Sequence, residues 1–362
     1  MNMAAVPDSM AWRDAGSCAA QPCTVRLLSD SDVQRWDDFV YGAPEATFFH
    51  RSGWKRVIEK AFGHRTYFLL AESEGTIRGV LPLAEIKSSL FGHSLMSLPF
   101  CVYGGIVAES QDARSALDSA AQALARERGV DYLEYRNQRV THPDWQQRDL
   151  YVTFRKELLR DDEENLQAIP RKQRAMVRKG IQAGLAAEVD TGIERFFSAY
   201  SESLHRLGTP VFSKRYFRVL REEFGSDCDV LTIVKDNEVI ASVLSFYFRE
   251  EILPYYGGGV SKARDVAGND FMYWELMRHA NRRGCRLFDF GRSKRGTGSF
   301  GFKKNWGFEP LPLAYEYQLH RATEIPDHNP LNPKYDLLIK LWRSMPRAFA
   351  NHVGPHIVKQ LG

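Results

Sequence analysis

The chain has 362 residues, more than a single hydrophobic core usually supports, so two domains are expected. Its 44% hydrophobic and 26% charged residues are typical of a globular protein. A net charge of +4 is too small to indicate nucleic-acid binding by itself, and DNA is not an expected partner. Five scattered cysteines form neither a disulfide framework nor metal-ligand spacing, and no apolar run reaches the roughly 18 residues of a membrane span. These features predict a reduced, cytoplasmic protein without a metal site.

Residues 1–23 are rich in Ala, Ser and Pro without periodicity and are predicted to form a disordered leader. The first half, residues 24–155, begins with a strand and two short helices. A hairpin around the polar turn ESEG follows, and the helix after it ends at Gly129. The strand VDYLEYR completes this half.

The second half, residues 156–320, repeats this order of elements. Two helices precede a hairpin around DNE, a strand ILPYYGGGV, a helix that ends at Gly284 and a strand CRLFDFGR. Tyr103-Gly104-Gly105 recurs as Tyr256-Gly257-Gly258, and Gly129 recurs as Gly284, in each case about 155 residues later. Landmarks in one register indicate an internal duplication of an α/β (α+β) unit.

The duplicated unit resembles the GNAT acyltransferase fold in tandem form, and more narrowly the FemAB family, including BioF2-like acetyltransferase domains. The most specific pieces are IPRKQRAMVRKGIQAGL, YYGGG, and FDFGR followed by FKKNWGFEP. The last piece, together with the tail, looks most like FemAB-related proteins associated with exosortase (PEP-CTERM) and exopolysaccharide loci. The resemblance implies transfer of an acyl or aminoacyl group to an amino group of a cell-envelope or exopolysaccharide precursor.

The stretch from FDFGR to FKKNWG is the candidate centre of the chemistry. Its glycines allow close approach of a ligand, and its basic side chains suit a phosphate or carboxylate, although a solvated turn has the same composition. Arg292 is predicted to clamp such an anion. The resemblance places Lys303, or its neighbour Lys304, where the family lysine holds the acceptor or stabilises the tetrahedral intermediate. Asp289 is the candidate general base, with a buried or capping role as the favoured alternative.

Three residues are candidates for binding the acceptor, which the resemblance makes a nucleotide sugar, a peptide or a polysaccharide precursor. Tyr256 precedes the glycine run, and core packing is its alternative role. Arg206 and Tyr216 lie on the helices that open the second half, where the family has acceptor-binding residues. In the first half, FHRSGW stands where the family often has Phe-Gln-Ser and then Trp. The lysines that follow, Lys55 and Lys60, do not fall at the interval of the family's acceptor-binding lysine, which weakens the expectation of a peptidoglycan precursor.

The predicted helix IPRKQRAMVRKGIQAGL places Arg171, Arg174 and Arg178 on one face. The resemblance suggests that Arg174 and Arg178 meet a phosphate-bearing ligand or tRNA, and a solvated inter-domain helix is the alternative. No tightly bound cofactor is expected, and the donor is aminoacyl-tRNA or acyl-CoA. The segment 264–269 keeps the arginine of the acyl-CoA loop but misplaces its glycine, which favours aminoacyl-tRNA.

The tail, residues 321–362, places Tyr335, Leu338, Ile339 and Trp342 on one face of a predicted basic helix. Such a segment either packs onto the second half or contacts a membrane surface, which would put the protein at the inner face of the membrane. A scaffold that keeps the fold without catalysis is the alternative to an enzyme.

Overall fold

Two tight hairpins and glycine-terminated helices form where the sequence predicts them. The computed structural model describes residues 23–88, 91–325 and 336–362, so the predicted leader lies outside them except for Cys23. The turns Glu74-Gly75 and Asp236-Asn237 have positive φ at both central residues, which suits the twist of paired strands. Gly129, with φ of 61°, caps the predicted helix.

The first part of the chain begins with a strand and two helices, continues with four strands and a third helix, and ends with two strands. Its elements are β1 (Thr24–Leu27), α1 (Val33–Gly42), α2 (Gly53–Phe62), β2 (Arg65–Ser73), β3 (Thr76–Ser88), β4 (Gly92–Ser97), β5 (Val107–Ala108), α3 (Gln111–Arg128), β6 (Tyr132–Asn137) and β7 (Gln146–Gln147).

In the rest of the chain a strand and two helices come first, the order of the first part then recurs over residues 186–289, and further strands and helices follow. Its elements are β8 (Tyr151–Glu157), α4 (Asp162–Ala168), α5 (Arg171–Gln182), β9 (Ala186–Asp190), α6 (Glu194–Leu207), α7 (Lys214–Phe224), β10 (Cys228–Lys235), β11 (Glu238–Phe248), β12 (Glu251–Gly259), α8 (Gly268–Arg282), β13 (Leu287–Asp289), β14 (Ser293–Lys294), α9 (Gly298–Asn305), β15 (Pro310–Pro312), β16 (Ala314–Leu319), α10 (Asp336–Ser344) and α11 (Arg347–Val358).

The strands form two sheets of matching topology. The first runs β1-β2-β3-β4-β6-β16-β7, and the second runs β14-β8-β13-β12-β11-β10-β9. Among the described strands, each sheet has one parallel pair of neighbours, β4 with β6 in the first sheet and β12 with β13 in the second, and the two pairs occupy equivalent positions in the strand order. Every other pair of neighbours in these two strand orders is antiparallel. The duplicated α/β fold predicted from the sequence is thereby confirmed.

The two sheets exchange one strand each, which the sequence did not predict. Strand β8 pairs with β13 in the second sheet, while β16, from the end of the second half, pairs with β6 in the first. The predicted boundary between residues 155 and 156 therefore falls inside β8. Each half depends on the other for a strand beside its parallel pair.

The glycine run of the second half lies inside β12, not after it. Gly257, Gly258 and Gly259 pair with β11, whereas Tyr103-Gly104-Gly105 follows β4 without being in a strand, so these two landmarks are not structural equivalents. A Cβ on Gly258 would lie 2.5 Å from the Cβ of Ser203 on α6. The glycine is needed for helix packing and not for the approach of a ligand.

None of the helices in the described parts of the chain combines the length and apolar character that crossing a bilayer requires. The largest apolar cluster instead fills the junction between the halves, where α2 and residues 98–103 meet α6, α7 and β12. Ion pairs of Arg56 with Glu223 and of Arg51 with Asp227 flank this junction.

Candidate active site

The first half inserts residues 98–103 between the two sheets, and we call them the wedge segment. All of it is buried, and because it follows the end of β4, its carbonyls have no strand partner. Side chains supply the donors instead: Arg136 to Leu98 and Cys101, Tyr255 to Phe100, and Tyr315 to Val102, at 2.7–2.9 Å. The wedge segment is thereby fixed to both sheets.

Asp289 joins the wedge segment to the second sheet and is fully buried. Tyr103 Oη donates to its Oδ2 at 2.8 Å, while Thr153 Oγ1 and the Gly291 N–H donate to its Oδ1 at 3.0 and 2.7 Å. The Arg155 Nε lies 3.3 Å from Oδ2. Both carboxylate oxygens accept hydrogen bonds, and the side chain is closed off from solvent and so from a substrate amine. These contacts argue against the predicted general base at Asp289 and favour a role in joining the halves.

Glu251, at the beginning of β12, shares Arg155 with Asp289, and its carboxylate lies 2.9 Å from the guanidinium. Burial, together with the neighbouring Asp289, raises the pKa of Glu251 above its ordinary value. One guanidinium therefore offsets two acids at the parallel pair of strands. This ion cluster holds the strand end from which the loop to Arg292 departs.

Arg292 is a cation whose guanidinium contacts aromatic rings and has no acidic partner in the described part of the chain. Its guanidinium lies 4.6 Å from the centre of the Tyr151 ring, and Nη1 donates to Tyr315 Oη at 3.2 Å. No carboxylate lies within ion-pair distance of it among the described residues. A guanidinium in this position is suited to a ligand phosphate or carboxylate, as the sequence predicts.

Lys303 lies on α9, and its side chain returns to the same loop. Only 9% of it is exposed, and Nζ donates to the carbonyls of Gly291 and Arg292 at 2.8 and 3.1 Å. Burial lowers the pKa of Lys303 to about 7. Since an ammonium has three donors, one N–H is left for a ligand. Lys304, by contrast, is exposed, so of the two predicted lysines it is Lys303 that reaches the loop.

The lowered pKa of Lys303 predicts a pH-dependent stability. Between pH 7 and about 10 the unfolded chain keeps a proton on this lysine that the native chain has lost, so the unfolding free energy rises with pH. We expect the unfolding free energy of Lys303→Met, minus that of the wild type, to fall by about 1.4 kcal/mol per pH unit over this range. Urea denaturation at pH 7, 8 and 9 measures it. A constant difference for Lys303→Met would contradict the lowered pKa.

Tyr216 and Tyr256, predicted separately as acceptor-binding residues, lie together in the junction. Their hydroxyl oxygens are 2.9 Å apart and hydrogen-bonded, and burial raises the pKa of both. The rings of Phe212 and Phe217 enclose them at centroid distances of 4.9–5.5 Å. Because each hydroxyl is engaged by the other, packing is favoured over contact with an acceptor.

The remaining predicted residues are not brought to the loop. Arg206 donates to the carbonyl of Gly259 at the end of β12, at 2.9 Å. Arg174 donates to Gln167, and Arg178 is exposed on α5 with no ion pair in the part of the chain that the structure describes. Arg174 and Arg178 lie on the outer side of α5, and the buried side of this helix packs on α8.

The beginning of α8, where an acyl-CoA pyrophosphate would be expected in the second half, is partly covered. Ala267 adopts a left-handed conformation with φ of 54°, and Asp270 lies in the first helical turn. Gln173 of α5 donates to the Asp270 carboxyl, and burial raises the pKa of that carboxyl to about 6. An acidic side chain and a helix occupy this helix end, which agrees with the misplaced glycine in the sequence.

The sequence reading missed the groups that fix the loop. In the sequence Tyr103 is only a landmark of the duplication, and no motif contains Thr153, Arg155 or Glu251. Their signal is weak, because each is an ordinary strand or loop residue. Only the exchange of β8 brings Thr153 and Arg155 beside Asp289.

Comparisons with known proteins agree with this architecture. Residues 163–304 match the family model of the acetyltransferase (GNAT) domain. No protein of curated function matches the sequence. The crystal structure of FemX superimposes with a TM-score of 0.66 at 15% identity, over 87% of this chain and 100% of that one.

Two further solved structures have the same fold. The C-terminal domain of a putative lysylphosphatidylglycerol synthetase from Agrobacterium fabrum gives a TM-score of 0.54 at 14% identity, over 80% of this chain and 92% of that one. A tandem GNAT protein from the clavulanic acid biosynthesis pathway gives a TM-score of 0.53 at 14% identity, over 84% of this chain and 100% of that one. The chain has a tandem GNAT fold, its residues 163–304 match the GNAT acetyltransferase domain, and the enzyme class that this match and fold support is an acyltransferase.

Proposed function

We propose that the protein transfers an acyl or aminoacyl group to an amino group of a cell-envelope or exopolysaccharide precursor, in the manner of FemAB-like enzymes. The observation that carries the proposal is that the side chains of Arg292 and Lys303 meet at one loop at the junction of the halves. Neither cation has a carboxylate partner among the described residues, and Lys303 holds the backbone of the loop that carries Arg292.

In the proposed reaction Arg292 binds a phosphate or carboxylate of a substrate, and the remaining N–H of Lys303 points toward the reacting carbonyl. The acceptor amine attacks this carbonyl, a C–N bond forms, and the bond to the donor's sulfur or oxygen breaks. The proton of the amine leaves with the departing group or through solvent. Because Asp289 is fully buried and accepts hydrogen bonds from Tyr103, Thr153 and the Gly291 N–H, orientation and the two cations supply the rate enhancement without a dedicated base.

Two donors are compatible with this reaction. The GNAT domain supports acyl-CoA, the usual donor of that fold. The exposed cations of α5 support a polyanion such as aminoacyl-tRNA, whose affinity would fall steeply with salt. The resemblance of FKKNWGFEP and the tail to exosortase-associated proteins supports an exopolysaccharide precursor, as a nucleotide sugar or peptide-bearing intermediate, as the acceptor.

Thermal unfolding in the presence of CoA, acetyl-CoA and a panel of nucleotide sugars tests the proposal. A ligand that binds only the native state stabilises it by about 2.7 kcal/mol at a hundredfold excess over its Kd. We expect a shift with at least one of these ligands and its loss in Arg292→Gln. A shift with CoA would identify acyl-CoA as the donor, and a shift with nucleotide sugars alone would direct the search to charged tRNA. If no ligand, charged tRNA included, shifts the midpoint, the scaffold alternative is supported instead.

A further inference from the structure

The helix α10 presents an apolar face to solvent. Leu337, Leu338 and Leu341 are 76%, 59% and 52% exposed, and Phe349 at the beginning of α11 is 54% exposed. We call these four residues the tail face. Large apolar side chains are individually common on protein surfaces, but four of them in one short segment require an explanation.

The tail face is not the core-packing side of its helices. Trp342 is buried, Ile339 lies against Gly208 at the end of α6, and Arg343 donates to the Leu207 carbonyl at 3.1 Å. The sequence predicts one apolar side made of Tyr335, Leu338, Ile339 and Trp342. Tyr335 lies outside the described residues, and of the others Ile339 and Trp342 point inward while Leu338 is exposed. The helix therefore buries one apolar side and exposes another.

The second tail helix is anchored to both halves, which fixes the orientation of the tail face. Gly354 of α11 lies against Val211, and the carbonyl of Lys359 is 2.7 Å from His64 Nε2 of the first half. Gln360 accepts a hydrogen bond from Ser88 Oγ at 2.8 Å. The apolar residues consequently project from a supported element and not from a loose end.

The charge of the two tail helices is mainly positive, and Asp336, the first residue of α10, is the one acid in them. From Leu337 to the end of the chain there is no Asp or Glu, while Lys340, Arg343, Arg347 and Lys359 are present. The structure pairs Arg347 with Glu202 at 2.8 Å, and Lys340 is exposed without an ion pair in the described residues. Exposed leucines beside unpaired cations are complementary to a surface that is apolar within and anionic at its edge.

We propose that the tail face docks the protein on an anionic lipid surface, with the leucines of α10 and Phe349 entering the acyl boundary and Lys340 contacting lipid headgroups. Apolar burial and attraction to anionic lipids together determine the affinity of such interfacial helices. A protein partner or a second copy of this chain would require a complementary acidic, apolar surface. The lipid surface supplies both properties at once, and the inference is independent of the transfer reaction.

Flotation of the full-length protein with vesicles tests this docking. We expect flotation with vesicles of phosphatidylcholine mixed with phosphatidylglycerol and little with phosphatidylcholine alone. The triple variant Leu337→Ser, Leu338→Ser and Leu341→Ser should remain at the bottom of the gradient, and Lys340→Gln should bind about fivefold more weakly. The matched controls Leu27→Ser and Leu311→Ser, at residues 53% and 47% exposed elsewhere, should float as the wild type does.

The substituted leucines are exposed, so the triple variant should keep the melting temperature of the wild type. Wild-type protein that does not float with anionic vesicles, or a triple variant that floats as well as the wild type, would overturn the proposal. Equal flotation on phosphatidylcholine alone would also overturn it, because headgroup charge would then play no part. A doubled mass in lipid-free solution that the triple variant abolishes would make the tail face an interface between copies instead.

Discussion

Replacing Lys303 by methionine is expected to lower kcat/KM for acyl transfer by about 10²–10³-fold, the usual cost of removing one donor that stabilises a developing oxyanion. The methionine keeps the apolar stem in a site that is only 9% exposed, so the fold should survive. Two effects add to the loss. One cation disappears from the site, and the carbonyls of Gly291 and Arg292 lose the donor that positions the loop.

Lys304→Met is the matched control, since it removes the same charge from the next residue of the same helix. Its side chain is exposed, and we expect kcat/KM within about twofold of the wild type. The assay measures the acylated acceptor formed from whichever donor stabilises the protein against heat. If Lys303→Met and Lys304→Met retain equal activity, Lys303 is a structural residue, and the proposed oxyanion role is wrong.

The largest loss of stability is expected for Asp289→Ala, about 3–5 kcal/mol in the free energy of unfolding. The change removes the acceptor of Thr153 and of the Gly291 N–H, leaves Tyr103 hydrogen-bonded only to Thr153, and takes away one of the two acids of Arg155. Unpaired buried donors and a partly uncompensated cation account for the cost. Urea denaturation of Asp289→Ala and of the exposed control Asp265→Ala measures it, and the control should lie within about 0.5 kcal/mol of the wild type.

Asp289→Asn separates this joining role from catalysis by a general base. The amide keeps one acceptor but removes the charge that offsets Arg155, so we expect a clear loss of stability in this variant too. A general base would give the opposite result, with nearly wild-type stability and a large loss of kcat. That outcome would restore the role that the sequence assigned to Asp289.

Much of the candidate site could be located from the sequence, but its contacts could not. The FDFGR and FKK stretches meet, because the short helix α9 returns the side chain of Lys303 to the loop that carries Arg292. The hydrogen bond between Tyr216 and Tyr256, and the groups that donate hydrogen bonds to Asp289, could not be predicted. Each depends on residues far apart in the chain, such as Tyr103 and Asp289, for which no local pattern exists.

The sequence by itself determined the duplication, the hairpins and the ends of the main helices, because turn residues, left-handed glycines and apolar periodicity act over a few neighbouring residues. Which of the predicted lysines and arginines reach the candidate site was not determined by the sequence, since Lys303 contacts the loop and its neighbour Lys304 is exposed. The tertiary structure alone decided the exchange of β8 and β16, the insertion of the wedge segment and the outward leucines of α10. These features depend on which surfaces meet when the two halves pack, and strands of equal propensity pair with whichever partner completes the buried sheet.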